Sequence, residues 1–162
     1  RNYQLIQGDG SKLPFDSERF DLIILAQVYE HTQNQIQLAD EIFRVLKPGG
    51  ICFFSGPNRW QLIEPHYFLP FLSWLPNKYS NIYLKFLGKG EIFDIYPLSY
   101  KSIKNLWKKF TITDYTVKLL KYPEKFNAVN RLGRYRIIKF IPKNILELLL
   151  PFYPNYNWIL QK

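Results

Sequence analysis

Apolar residues change rhythm several times along this chain. The run "FDLIILAQ" (20–27) is almost unbroken and bounded by turn residues, the pattern of a parallel strand buried on both faces. In "QNQIQLADEIFRVL" (33–46) the spacing becomes helical, and Ile36, Ala39, Ile42, Phe43 and Leu46 share one predicted face. Lys47 suits the carboxyl end of that helix dipole, and Pro48-Gly49-Gly50 stops it. "ICFFSG" (51–56) predicts a second buried strand. Strand, helix and strand with short joints make a βαβ unit, so a parallel sheet with a right-handed crossover is expected. Upstream, "NYQLIQG" (2–8) is β-compatible and ends at Gly8.

Beyond Gly56 the pattern loosens. Residues 57–90 are rich in proline and aromatics, with short helical pieces expected around 66–74 and 78–87. "SYKSIKNLWKKF" (99–110) predicts a helix with Ser99 as its N-cap. "TITDYTVKLL" (111–120) has strand propensity, "KNILELLL" (143–150) reads as an amphipathic helix between Pro142 and Pro151, and "NYNWILQK" (155–162) reads as a final strand. Three stretches of one domain follow from this: 1–56 with the βαβ unit, 57–98 as an insertion, and 99–162 with the last helix and two strands.

Length and composition narrow the class. The 162 residues suit one domain with a sizeable core. Aromatics at 18% argue against disorder. Cys52 is the single cysteine, which excludes a disulfide framework and fits a small core residue in a reducing compartment. With two histidines beside it a metal site has little to draw on, and none is expected. No uncharged apolar run reaches the roughly 18 residues that span a bilayer. The chain starts at Arg1 with no signal-peptide pattern, and a cytoplasmic location is expected.

Charge is lopsided. Residues 1–56 hold 5 Lys/Arg against 7 Asp/Glu, whereas residues 57–162 hold 17 against 6. Such a basic half suits an anionic partner or a solvated lysine-rich exterior, and both readings stay open. No Arg-rich run or RNA-binding aromatic motif points to nucleic acid.

"GDGSKLPFDSERFDLIILAQVYEH" followed by "EIFRVLKPGGICFFSGPNRW" resembles the carboxyl-terminal half of a class I S-adenosylmethionine-dependent methyltransferase of the ubiquinone/menaquinone-type (type 11) family. The resemblance covers residues 5–57. It implies an α/β Rossmann-like sheet with strand order 3-2-1-4-5-7-6, in which "YQLIQ" is the third strand and "DLIILA" the fourth. It also implies that the cofactor is S-adenosylmethionine. Asp9 would accept a hydrogen bond from the adenine amino group, with Gly10, Ser11 and Leu13 framing the ring. Ala26, Gln27 and Val28 would line the methionine portion, and His31 is the candidate general base. Arg59, Trp60, His66 and Tyr67 fall where the family places substrate-covering segments, with Glu64 beside them, and an aromatic bed of this kind suits a small or lipid-linked acceptor. Tyr29 and Glu30 read as structural neighbours.

The family's glycine-rich loop after the first strand and its ribose-binding acid do not occur in the sequence. The expectation is therefore a carboxyl-terminal fragment, with residues 20–162 forming a four-stranded half-sheet and residues 1–8 detached or paired in a way foreign to the family. A non-catalytic remnant or binding module is the alternative function, and a basic nucleic-acid-binding module the third. "RLGRYRIIKFIPKNILELLL" (131–150) fits either packing on the core or contact with an anionic membrane surface.

Overall fold

The fold is taken from a computed structural model that describes residues 3–129 and 138–162. Its elements are β1 (Phe20–Ala26), α1 (Gln35–Val45), β2 (Leu46–Pro57), β3 (Ile63–Glu64), β4 (Leu69–Pro70), α2 (Asn77–Phe86), α3 (Tyr100–Leu106), β5 (Thr111–Asp114), α4 (Thr116–Lys121), α5 (Lys143–Leu148) and β6 (Asn155–Gln161). The main sheet runs β1-β2-β6-β5. β1 and β2 are parallel, while β6 is antiparallel to both β2 and β5. This is the 4-5-7-6 half of the strand order the resemblance implies, and the half-sheet expectation holds.

Alternation along the strands decides what each face does. Ile23, Leu25, Cys52, Phe54, Trp158 and Leu160 point to one side, where Leu38, Ile42, Ile103 and Trp107 of the helices close the core. Burial pushes the Cys52 thiol up to about 12, so it sits there as an inert small apolar group. β1 departs from the expectation of burial on both faces: Leu22 is 55% and Ile24 69% exposed. β1 is the outermost strand, and its far face carries no cover among the described residues. Residues 3–8 form no strand either, and Tyr3 and Leu5 stand in solvent.

The helix of the βαβ unit begins where the Asn34 side chain accepts the Gln37 N–H, a cap that removes one orphan donor. Its buried stripe is Leu38, Ala39, Ile42 and Val45. Ile36, expected on that stripe, lies in the first turn on the outer side and is exposed. α1 ends at Val45, because Leu46 already has extended ψ and pairs with Phe20. Lys47 therefore serves the sheet instead of the helix dipole, pairing with Asp21 at 2.8 Å. Gly49, at φ 77°, makes the left-handed step that lets the strand pass Pro48 and present its N–H to Lys162.

The segment 57–98 departs most from its sequence pattern. The helix expected around 66–74 is replaced by the β3–β4 hairpin and a single 3₁₀ turn, Leu72–Trp74. Phe68 and Phe71 both have left-handed φ, and the Glu64 carboxylate accepts the N–H groups of His66 and Tyr67, so the local donors are taken before a helix can form. α2 appears as expected, and a satellite core of Leu69, Leu72, Leu84, Phe93 and Ile95 holds the segment together.

In the last third, Ser99 caps α3 as predicted, accepting the Ser102 N–H. The strand expected over 111–120 stops at Asp114, whose carboxylate accepts the Thr116 N–H and turns the chain into α4. The basic half of 131–150 lies largely outside the described residues, while α5 and β6 stand where the pattern put them. Among the described residues no helix is long and apolar enough to cross a membrane.

Candidate functional site

The loop before β1 is fastened to α1 by a small polar clamp. Glu41 accepts the Leu13 N–H at 2.8 Å and holds the Arg44 guanidinium at 2.7 Å. Arg44 in turn donates to the carbonyls of Leu13 and Phe15. The Arg44 hydrogen bond keeps the Glu41 carboxyl below the usual carboxylate range. Upstream of the clamp, Asp9 accepts the Ser11 N–H through Oδ1 at 2.8 Å, which lowers its own proton affinity and fixes a tight turn. Gly10 lies so close to α1 that a Cβ there would sit 3.0 Å from Leu38. Asp9 is thus a turn-former and also an exposed, ionised carboxylate.

A second wall stands at the carboxyl end of β1. Gln27 leaves the strand with left-handed φ of 56°, while its N–H still donates to the Ser55 carbonyl. A non-glycine residue in this region is uncommon and is held here by its neighbours. Its side-chain amide donates to Asn155 Oδ1 at 2.9 Å, and Asn155 donates to Ser55 Oγ at 3.0 Å. The ends of β1, β2 and β6 are therefore laced by one amide–hydroxyl network. Ser55 and Asn155 had no sequence signal to mark them, since the network exists only once three strands meet. Val28 follows, partly exposed.

Tyr29 turns inward. Its hydroxyl donates to the Pro57 carbonyl and accepts the Leu98 N–H at 3.1 Å, and burial drives its phenol far above the ordinary range. Gly56 makes room for the ring, because a Cβ there would lie 2.4 Å from it. Glu30 is fully buried, and neither carboxylate oxygen has a hydrogen-bond partner. Burial pushes its carboxyl up, against the pull of its own N–H and of the nearby His31 and His66.

The 57–98 segment returns His66 to this place. The His31 and His66 rings are 5.1 Å apart, edge to face. Buried Glu64 meets His66 Nδ1 at 2.6 Å. Of the other residues singled out for the acceptor, Arg59 lies over the Trp60 ring, and Trp60 packs on Trp74. Tyr67 reaches Asp94 at 3.2 Å and stacks near Phe93. Trp60 borders a cleft of about 240 Å³ with Tyr100 and Phe152. A larger cavity of about 950 Å³ lies elsewhere, among α4, β6 and Phe53, and is lined by none of the residues predicted for the cofactor or the acceptor.

The parallel β1–β2 pair and the antiparallel β6 have the order that the sequence resemblance implies for a class I methyltransferase sheet. Residues 1–54 match the family model described as "Methyltransferase domain", type 11. A Mycolicibacterium smegmatis protein named a probable S-adenosylmethionine-dependent methyltransferase is 42% identical over 52 residues, which are 32% of this chain and 20% of that one. The ubiquinone/menaquinone biosynthesis C-methyltransferase of Coxiella burnetii is 42% identical over 61 residues, 36% of this chain and 24% of its own. A solved S-adenosylmethionine-dependent methyltransferase from Mesorhizobium loti superposes with a TM-score of 0.54 at 12% identity, over 96% of this chain and 68% of that chain. Through its amino-terminal third this chain is similar to the type 11 methyltransferases. It spans about a fifth to a quarter of the length of these two curated relatives.

Proposed function

We propose that this chain supplies the adenine-side and methionine-side walls of an S-adenosylmethionine site, in a protein that methylates a small or lipid-linked acceptor. The observations that carry the reading are two walls fixed by polar contacts: the Asp9–Leu13 loop, clamped to α1, and the Gln27–Val28 corner at the end of β1, laced to Ser55 and Asn155. The residues fit the cofactor's chemistry. Asp9 has an ionised, exposed carboxylate for an exocyclic amine, which only donates. Leu13 gives a half-buried apolar wall, and Gly10 lets the loop pack closely on Leu38 of α1. Ala26, Gln27 and Val28 turn out of β1 where a ligand in an open α/β sheet binds.

When bound, S-adenosylmethionine supplies a methyl group already activated on a sulfonium. The task left to the protein is in-line positioning and removal of the acceptor's proton. His31 follows Val28 closely and is exposed, which supports it as the acceptor of that proton. Trp60, Phe71 and Trp74 form an edge-to-face aromatic group that, with Arg59, suits a ring-bearing or amphipathic acceptor. Exposed Phe140, Leu148 and Phe152, in the same stretch of chain as Lys139 and Lys143, support a resting contact with an anionic membrane surface.

The test is calorimetric titration of the whole protein with S-adenosylhomocysteine. Asp9→Ala should weaken binding about tenfold, the worth of one hydrogen bond. An unchanged affinity would sink the adenine assignment.

A further inference from the structure

The sequence offers two histidines, 35 positions apart, and the fold brings both to one point. One donor atom from each of Glu30, His31 and His66 lies within 4.8 Å of the other two. The Glu30 carboxylate is enclosed by protein and its two oxygens accept nothing. Burying a carboxylate without donors is costly, and native structures relieve that cost by pairing it or coordinating a metal. Glu64, fully buried, holds His66 through Nδ1, which orients the ring and leaves Nε2 as the free donor. A carboxylate behind a histidine is the usual outer support of a metal-bound imidazole.

We propose that Glu30, His31 and His66 form a binding site for a divalent transition cation of the zinc type, with Glu64 as the residue that positions His66. Two imidazoles and one carboxylate are a borderline donor set suited to such ions, and both histidines keep exposed edges where water can complete the coordination. Bonds of about 2.0–2.1 Å put tetrahedral ligand atoms about 3.4 Å apart, so the cluster must close by roughly 1.4 Å at most. Side-chain rotation of two exposed histidines supplies that movement. The site joins the turn after β1 to the β3–β4 hairpin, and the cation therefore ties the 57–98 segment to the sheet. The metal would occupy the lone pair with which His31 would otherwise accept a proton. This inference goes beyond methyl transfer and does not depend on it.

Composition, which argued against a metal, also makes the test sharp. The whole protein, made without a histidine tag and stripped of metal, is titrated with Zn²⁺ alone by calorimetry and by proton NMR of the imidazole signals. One equivalent should move the ring signals of both His31 and His66. Failure of either ring to respond, or no uptake at micromolar Zn²⁺, overturns the proposal. His31→Asn and Glu30→Gln should each weaken uptake at least about tenfold, and Glu64→Gln by about 10- to 100-fold with the His66 signal still responding. Uptake unchanged in a His31→Asn/His66→Asn double variant that retains its circular dichroism places the metal elsewhere and also overturns it. Each readout is of metal, so S-adenosylhomocysteine affinity can stand or fall separately.

Discussion

In the sheet, Phe54 meets Trp107 and Trp158 at ring distances of 5.2 and 5.6 Å, under α1 and α3, and the backbone groups are paired strand to strand. In the 57–98 segment, five buried apolar residues suffice, and side chains carry much of the order: Glu64 on two backbone N–H groups, Asn81 on the Phe93 N–H, Trp74 on the Gln61 carbonyl. One region is built by periodic apolar burial and the other by particular polar contacts. The difference explains where each can break, and why the buried Glu30 and Glu64 lie at their seam.

The largest effect should separate the two regions outright. Phe54→Ala should cost about 3–5 kcal/mol and shift the whole unfolding transition, because the ring lies at the centre of the main core. Leu72→Ala should cost about 2–4 kcal/mol but loosen the satellite core first. Hydrogen exchange would resolve this, with β2 amides staying protected in Leu72→Ala while α2 amides exchange. Equal loss of protection in both would show a single cooperative unit.

At the seam, Tyr29→Phe keeps the ring and removes the hydroxyl that bridges Pro57 and Leu98. It leaves the half-buried Leu98 N–H and the Pro57 carbonyl without that partner, at a cost of about 1–3 kcal/mol by denaturant titration. A neutral result would mean that the two regions touch without coupling.

Within the segment, Trp60→Ala should raise the acceptor KM several-fold and leave S-adenosylhomocysteine affinity intact, measured by steady-state kinetics beside calorimetry. Loss of both together would assign Trp60 to packing against Trp74 alone.

The smallest effect belongs to the loop clamp. The folded-state pKa of Glu41 is depressed, so its contribution is complete above the ordinary carboxylate pKa and is lost as pH falls through the lowered folded value. Glu41→Gln should cost about 1 kcal/mol at neutral pH, since an amide has one acceptor oxygen where the carboxylate serves both the Leu13 N–H and the partly exposed Arg44 guanidinium. It should also flatten the acid limb of a stability–pH curve. An unchanged acid limb would mean that other carboxylates set it.

The same contrast governs what could be read from the chain. Strand and helix rhythms are local, so β1, α1, β6 and the Ser99 cap were visible in residue order. Ile36 misled because a helical face is set by what packs on it, and at Ile36 no described residue supplies that cover while Leu38 in the same turn is buried. The exposed side of β1 was hidden for a related reason: an apolar run reports affinity for cover without saying what supplies it. In 57–98 the hairpin rests on left-handed Phe68 and Phe71 and on a glutamate that caps a turn, none of which has a periodic signature. Asp9 and Gln27 were singled out through the motif residues around them. The joining of His31 to His66 depends on a hairpin whose course the sequence did not disclose.

Tyr29 also has a meaning in time. Its hydroxyl joins chain positions 28 and 69 residues away, and its ring needs the bare backbone of Gly56 already lying in β2. The closure entropy of so long a loop is lost before its contacts form, so local pairings lead and distant ones follow. Loop length therefore puts the Tyr29 contacts with Gly56 and Pro57 ahead of the arrival of Leu98.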